Sequence, residues 1–148
     1  MWRGILMGLA FNSCVFATAM ALTADELVGI WEGVDAKAGW KDRLILTRID
    51  DVHGWWQAHM ERFTADGEQI NTIDGIWRLG IDKRRPSGCR LVLYFGGDIT
   101  TGAPLGHIVR LQMSITMPSK DRMRLICPTI ASIWGPDLYV RVRDPSAK

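Results

Sequence analysis

The sequence predicts an all-β, single-domain antiparallel β-barrel of about eight strands. Apolar and polar residues alternate with period two through most of the chain. Turn-forming residues recur at roughly ten-residue spacing, as in sandwiches and barrels. No stretch carries a helical apolar stripe.

The elements follow in order. Residues 28–34 set Trp31 between Gly29 and Gly33, and Leu44 and Leu46 mark a less regular strand over 42–49. Trp56, Ala58 and Met60 oppose Gln57, His59 and Glu61. Ile73, Gly75, Trp77, Leu79 and Ile81 face away from Asp74, Arg78 and Asp82. Leu91, Leu93 and Phe95 form a fifth apolar face. Next, His107, Val109, Leu111, Met113, Ile115 and Met117 oppose Arg110, Gln112, Ser114 and Thr116. Met123, Leu125 and Cys127 oppose Arg122 and Arg124. In the last strand Leu138, Val140 and Val142 are expected inside, with Arg141 and Arg143 outside. Turns are marked at 51–54, with Asp50 and Asp51 as turn formers, and at 65–67, 85–88, 96–102 and 118–121. One wet face per strand fits an antiparallel sheet, and closing eight strands into an up-and-down barrel removes exposed edges.

Residues 1–21 read as an export signal. Arg3 gives a positive start, residues 5–16 are uncharged and mostly apolar, and Ala19 and Ala21 stand three and one positions before a cut. The apolar run is too short for a convincing span, so no stable membrane insertion is expected. Two other readings of the segment are a lipid-bearing Cys14 and a retained anchor. After cleavage, residues 22–148 form one domain that works in the periplasm or outside the cell. That domain holds 17 basic and 16 acidic residues, a balance that argues against nucleic acid as a partner. The basic cluster Lys83-Arg84-Arg85 reads as a solvated loop. Cys89 and Cys127 remain, and an oxidising compartment favours one disulfide between them, worth roughly 4 kcal/mol for a loop of about 39 residues. In a simple meander the two cysteines fall at opposite ends of the barrel, which is in tension with that pairing.

The stretch Leu27-Val28-Gly29-Ile30-Trp31-Glu32-Gly33 resembles the Gly-x-Trp motif that opens the first strand of lipocalin-like (calycin) barrels. The resemblance implies that Trp31 plugs the closed end of a barrel with an apolar cup. It also implies that an arginine of the last strand, Arg141 or Arg143, packs across the Trp31 ring. The family's middle motif has no match, and the resemblance carries no catalytic residue across.

Met60, Met113, Met117 and Met123 fall on inward faces with Trp77, where they either fill a core or line a cavity for an irregular apolar ligand. Trp40, Trp55 and Trp134 are candidates for an exposed rim that binds an envelope protein or glycan. The span 98–106 reads as a loop at the barrel mouth. Catalysis has little support: His53, His59 and His107 adjoin no nucleophile motif, and only a hydrolase built on His59 and Glu61 is conceivable. No metal spacing is present, and the glycine-rich segments at 95–98 and 101–106 introduce no helix, so neither a metal nor a cofactor is expected. The leading expectation is an exported, non-enzymatic binding protein for a small apolar or amphipathic ligand. The alternative is an interaction module, an inhibitor or assembly factor, that uses the tryptophan rim.

Overall fold

A computed structural model describes residues 22–52, 54–81, 89–97, 104–126 and 135–143. They begin with a single helical turn, α1 (Ala24–Leu27), which Glu26 closes by accepting the Thr23 N–H at 2.7 Å. Eight strands follow: β1 (Gly29–Val34), β2 (Lys41–Val52), β3 (Trp55–Phe63), β4 (Gln69–Ile81), β5 (Cys89–Gly97), β6 (Pro104–Ser119), β7 (Arg122–Ile126) and β8 (Leu138–Val142). Each pairs antiparallel with the next, and β8 pairs with β1, so the sheet is a closed up-and-down barrel. The alternation of apolar inward and polar outward side chains produces this meander, and closure gives every strand a neighbour on both sides.

Two ends result. α1, the β2–β3 and β6–β7 turns and the end of β4 lie at one end, called here the α1 end. The β1–β2 and β3–β4 turns, the ends of β5 and β7 and the start of β8 lie at the far end. Inward positions of all eight strands meet in one apolar core, from Leu44, Leu91 and Leu111 to Leu125, all essentially inaccessible to water. Seventeen buried residues of this kind form a single cluster, which makes the described chain one domain.

Several strand-level expectations are corrected. β6 begins at Pro104, so residues 104–106 are strand; the remainder of the expected mouth loop, 98–103, lies outside the described residues. Asp50 does not form a turn, because it pairs with Trp56 within β2 and β3, where a bulge absorbs the irregular register. Ile81 sits at the end of β4, 77% exposed, past the last turn of core.

The largest correction concerns β8. Its inward residues are Tyr139, fully buried, and Arg141, while Leu138 and Val140 are exposed outside. Arg141 is needed on the inner phase at the α1 end, and a strand's period of two then fixes every other side chain.

The cysteine geometry also changes. Arg90 and Ile126 both stand opposite Ser114, one from each side. β5 and β7 pair with different halves of the sixteen-residue β6. The start of β5, at Cys89, and the end of β7 therefore share one level of the wall, two strand spacings or about 10 Å apart, rather than opposite ends. Cys127, like Cys14 and all of residues 1–21, lies outside the described residues.

Candidate functional site

The barrel interior has an apolar part and a polar part. Met60, Met113, Met123 and Trp77 are buried in the core, and Met117 is half-buried against it. Met60 sits between Leu44 and Ile73, and Met113 faces Leu91. The Trp77 ring lies 5.0 Å from that of Trp56, and its Nε1 donates to the Thr47 carbonyl at 2.9 Å. These five residues thus share the interior on four strands, in or against one apolar cluster.

The polar part was not anticipated. Register places Tyr139, Gly33, Asp42, Arg62 and Asn71 in one inward row across five strands toward the far end. All are buried, and Asp42 and Arg62 are 0% and 1% exposed. Arg62 grips Asp42 with two parallel hydrogen bonds, Nε to Oδ1 at 2.7 Å and Nη2 to Oδ2 at 2.8 Å. Burial pushes the Asp42 carboxyl above its ordinary value, and the Arg62 hydrogen bonds only partly offset that.

The far end roofs this pair. The Trp40 ring, in the β1–β2 connection, lies over the Arg62 guanidinium at 4.6 Å. Asp35 orders the same turn by accepting the Lys37 and Ala38 N–H groups at 2.7 and 3.0 Å. The Ala38 N–H, and then that of Lys37, hold the Asp35 carboxyl below its usual range despite some desolvation. From the β7–β8 side, Gly135 has φ +107° and passes so close that a Cβ there would sit 2.9 Å from Asp42 Oδ2 and 3.0 Å from Arg62 Nη2. Only glycine combines that dihedral with that approach.

The α1 end is built around Trp31 and Arg141. Trp31 is fully buried, and its Nε1 donates to the Leu27 carbonyl at 2.8 Å. The Arg141 guanidinium stacks on the Trp31 ring at 4.1 Å. It donates to the carbonyls of Val28 at 2.7 Å, Glu26 at 2.6 Å and Lys120 at 3.2 Å. One side chain thereby ties α1, the start of β1 and the β6–β7 turn together. Gly29, φ +144°, makes room, since a Cβ would lie 2.6 Å from Arg141 Nη1.

The expected rim does not assemble. Trp40 precedes β2 and Trp55 follows it, so the two stand at opposite ends of the barrel, and Trp134 lies outside the described residues. Arg62 covers the Trp40 ring, and Arg78 covers the Trp55 ring at 4.3 Å, with Tyr94 edge-on at 4.9 Å. A ring already stacked on a guanidinium offers one face fewer to a sugar.

His59 and Glu61 lie on the outer wall. His59 Nδ1 meets Asp74 Oδ1 at 2.6 Å, and Nε2 meets the Thr72 hydroxyl at 3.1 Å and Glu61 Oε1 at 3.6 Å. Glu61 accepts from Arg43 at 3.2 Å, and Arg43 and Lys41 both reach Glu32. The group is a cross-strand polar ladder on a convex, wet sheet face. Asp74 is almost fully exposed, so the group stands on an open face rather than in a cleft that would hold a substrate. Among the described residues no cluster of His, Cys, Asp or Glu is arranged to hold a metal.

The polar row was readable from parity. Asp42 is in phase with Leu44 and Leu46, Arg62 with Ala58 and Met60, and Asn71 with Ile73 and Trp77. Extending each apolar face by one step reaches a polar residue on three consecutive strands.

No protein-family model matches this chain, and no match is found among curated proteins or solved structures.

Proposed function

We propose that the protein is an exported, lipocalin-like binding protein whose barrel takes a small amphipathic ligand. The single observation behind this reading is the split interior: one buried polar row, Asp42, Arg62 and Asn71, at the far end of a barrel otherwise lined by Met60, Met113, Trp77 and other apolar groups. A ligand with a polar head and an apolar tail matches that division, and thioether side chains adapt to an irregular tail. The Gly29-x-Trp31 motif, with Arg141 stacked on Trp31 and α1 closing that end, favours membership in the calycin superfamily, and on this reading the ligand enters from the far end, past the Trp40 and Gly135 roof. Export of residues 22–148 brings a Cys89–Cys127 bond with it as part of the proposal, read by intact mass under non-reducing conditions.

The test is a fluorescence titration with fatty acids, lysophospholipids and unsubstituted alkanes of matched length. Trp77 sits among the proposed tail contacts, so a bound tail shifts the emission. Asn71→Leu weakens binding of the headed ligands and leaves the alkanes unaffected. A flat response across the whole panel overturns the proposal. The alternative, an envelope protein or glycan module on a tryptophan rim, draws less support, because Trp40 and Trp55 are far apart and each is stacked on an arginine.

A further inference from the structure

The inward turn of Tyr139 and Arg141 leaves β8 with its aliphatic side chains in water. Leu138 and Val140 are 37% and 47% exposed. Val34 on one side and Ile126 on the other, at 64% and 49%, widen the stripe across three strands. Exposed aliphatic residues scattered singly need no explanation, but a continuous stripe along the outer phase of one strand does.

Its charge surroundings are one-sided. On β7, Arg122 stands directly opposite Val140 and Arg124 opposite Leu138, both exposed. Neither is in an ion pair among the described residues. On the β1 flank Glu32, opposite Val140, is already held by Lys41 at 3.1 Å and Arg43 at 2.7 Å. With Asp121 already paired to Arg141 and Asp137 the one other carboxylate beside Leu138 in sequence, the stripe is oily in the middle and net positive along its β7 edge.

We infer that this face of β7, β8 and β1 docks the protein onto an anionic lipid surface. Charge complementarity selects the occupant. A second copy of the chain brings Arg122 and Arg124 against each other, or against a Glu32 that two cations already neutralise, and so supplies no counter-charge. The wall of a closed barrel is convex, and the stripe holds only aliphatic side chains. Protein interfaces concentrate their energy in aromatic and arginine anchors seated in pockets. A lipid surface instead conforms to a convex wall: the aliphatic groups enter the headgroup boundary, and the arginines reach phosphate while their stems stay in the apolar layer. Contact of this kind is peripheral and breaks no hydrogen bond of the sheet. It does not depend on the ligand proposal, because the stripe is on the outside of the wall.

The full chain is tested by co-sedimentation with vesicles of phosphatidylcholine alone and of phosphatidylcholine with phosphatidylglycerol. Binding is expected to the anionic vesicles and at least tenfold more weakly to the neutral ones. Arg122→Gln with Arg124→Gln weakens binding roughly thirtyfold, about one basic residue's attraction at a time. Val140→Asp with Leu138→Asp abolishes the difference between the two vesicle types. Every protein carries the same residues 1–21, so the difference between variants reads the stripe alone. The arginine pair is exposed and structurally idle, which keeps the test decisive if the aspartates impair folding; near-UV circular dichroism of the buried tryptophans reports that. Equal sedimentation of the wild type and the arginine variant overturns the proposal. So does a vesicle-independent dimer that Val140→Asp dissolves, which makes a second copy the occupant. Binding of poly-glutamate with no binding of anionic vesicles overturns it in favour of an acidic protein.

Discussion

Each end of the barrel stacks an arginine on a tryptophan, and the two pairs are built in reverse. At the α1 end Trp31 is buried and Arg141 reaches solvent. At the far end Arg62 is buried and Trp40 is half-exposed. The difference decides what each arginine needs. Arg141 donates mainly to main-chain carbonyls, keeps part of its hydration and has its one carboxylate neighbour among the described residues, Asp121, at 3.5 Å on the wet side. Arg62 has lost its water and depends on Asp42. The first pair ties three segments together. The second holds a charge inside a barrel, which a fold does not need for stability, since a buried ion pair barely repays its own desolvation. Structural demand explains the α1 end, whereas the far end carries a buried pair that the fold does not need and that fits the proposed ligand head.

The largest expected effect breaks the far pair on one side only. Asp42→Leu strands a buried guanidinium and costs about 3–5 kcal/mol. Adding Arg62→Met to the same chain restores stability to near the wild-type level or above it, because two apolar groups refill the space without an ion to desolvate. Urea denaturation of the two variants reads both numbers. If the double variant is as unstable as Asp42→Leu alone, the pair is structural after all, and the contrast between the ends disappears.

A smaller loss is expected at the α1 end. Arg141→Met removes the bonds to the Val28, Glu26 and Lys120 carbonyls and leaves those acceptors near enough to water to find other donors, so it costs about 2 kcal/mol. No second substitution rescues it, because the close partners are backbone. Hydrogen exchange localises the damage: protection falls in α1 and at the start of β1, and stays unchanged at Asp42 and Arg62.

The same contrast governs what the sequence made legible. The alternation at Ile73–Trp77 and Leu111–Ile115 was clean enough to give eight antiparallel strands in a meander, because each of those strands has one face packed in the core. It failed at β8, where two signals competed. Leu138, Val140 and Val142 have the parity of a core face, but the motif around Trp31 demanded an inward arginine, and a strand cannot satisfy both. Stagger was invisible too: nothing local to Cys89 or Ile126 says that both lie level with Ser114, since shear is a property of the closed sheet. The polar row was missed for the opposite reason. Its residues were in plain phase with their strands, but charged side chains at inward positions are read as strand ends when no partner is in view.

The smallest effect separates the ends by pH. Burial works against the Glu32 charge, but hydrogen bonds from Arg43 and Lys41 prevail and hold its carboxyl below its ordinary value. Asp35 is held low by the Ala38 and Lys37 N–H groups. Both belong to the stretch of β1 and its turn that leads to the far end. A carboxyl whose folded value is depressed adds stability above its unfolded value of roughly 4, and that stability is lost as pH falls through the folded one. Asp42 has the opposite sign: its folded value is raised, so its ionised form weighs on the native state as pH rises past the unfolded value and the weight lifts in acid. The two slopes partly cancel in the wild type. Glu32→Gln, worth about 0.5 kcal/mol as a half-exposed pair, therefore flattens the decline in stability between about pH 5 and 3. Asp42→Asn steepens it, since the depressed carboxyls then act unopposed. Arg141→Met lowers stability chiefly through lost bonds to carbonyls, which do not titrate, with the Asp121 carboxylate only at the longer distance of 3.5 Å from Nε. Denaturation midpoints for the three variants at half-unit steps through the window give the slopes, and a loss in Arg141→Met that varies with pH as strongly as the loss in Glu32→Gln would erase the distinction.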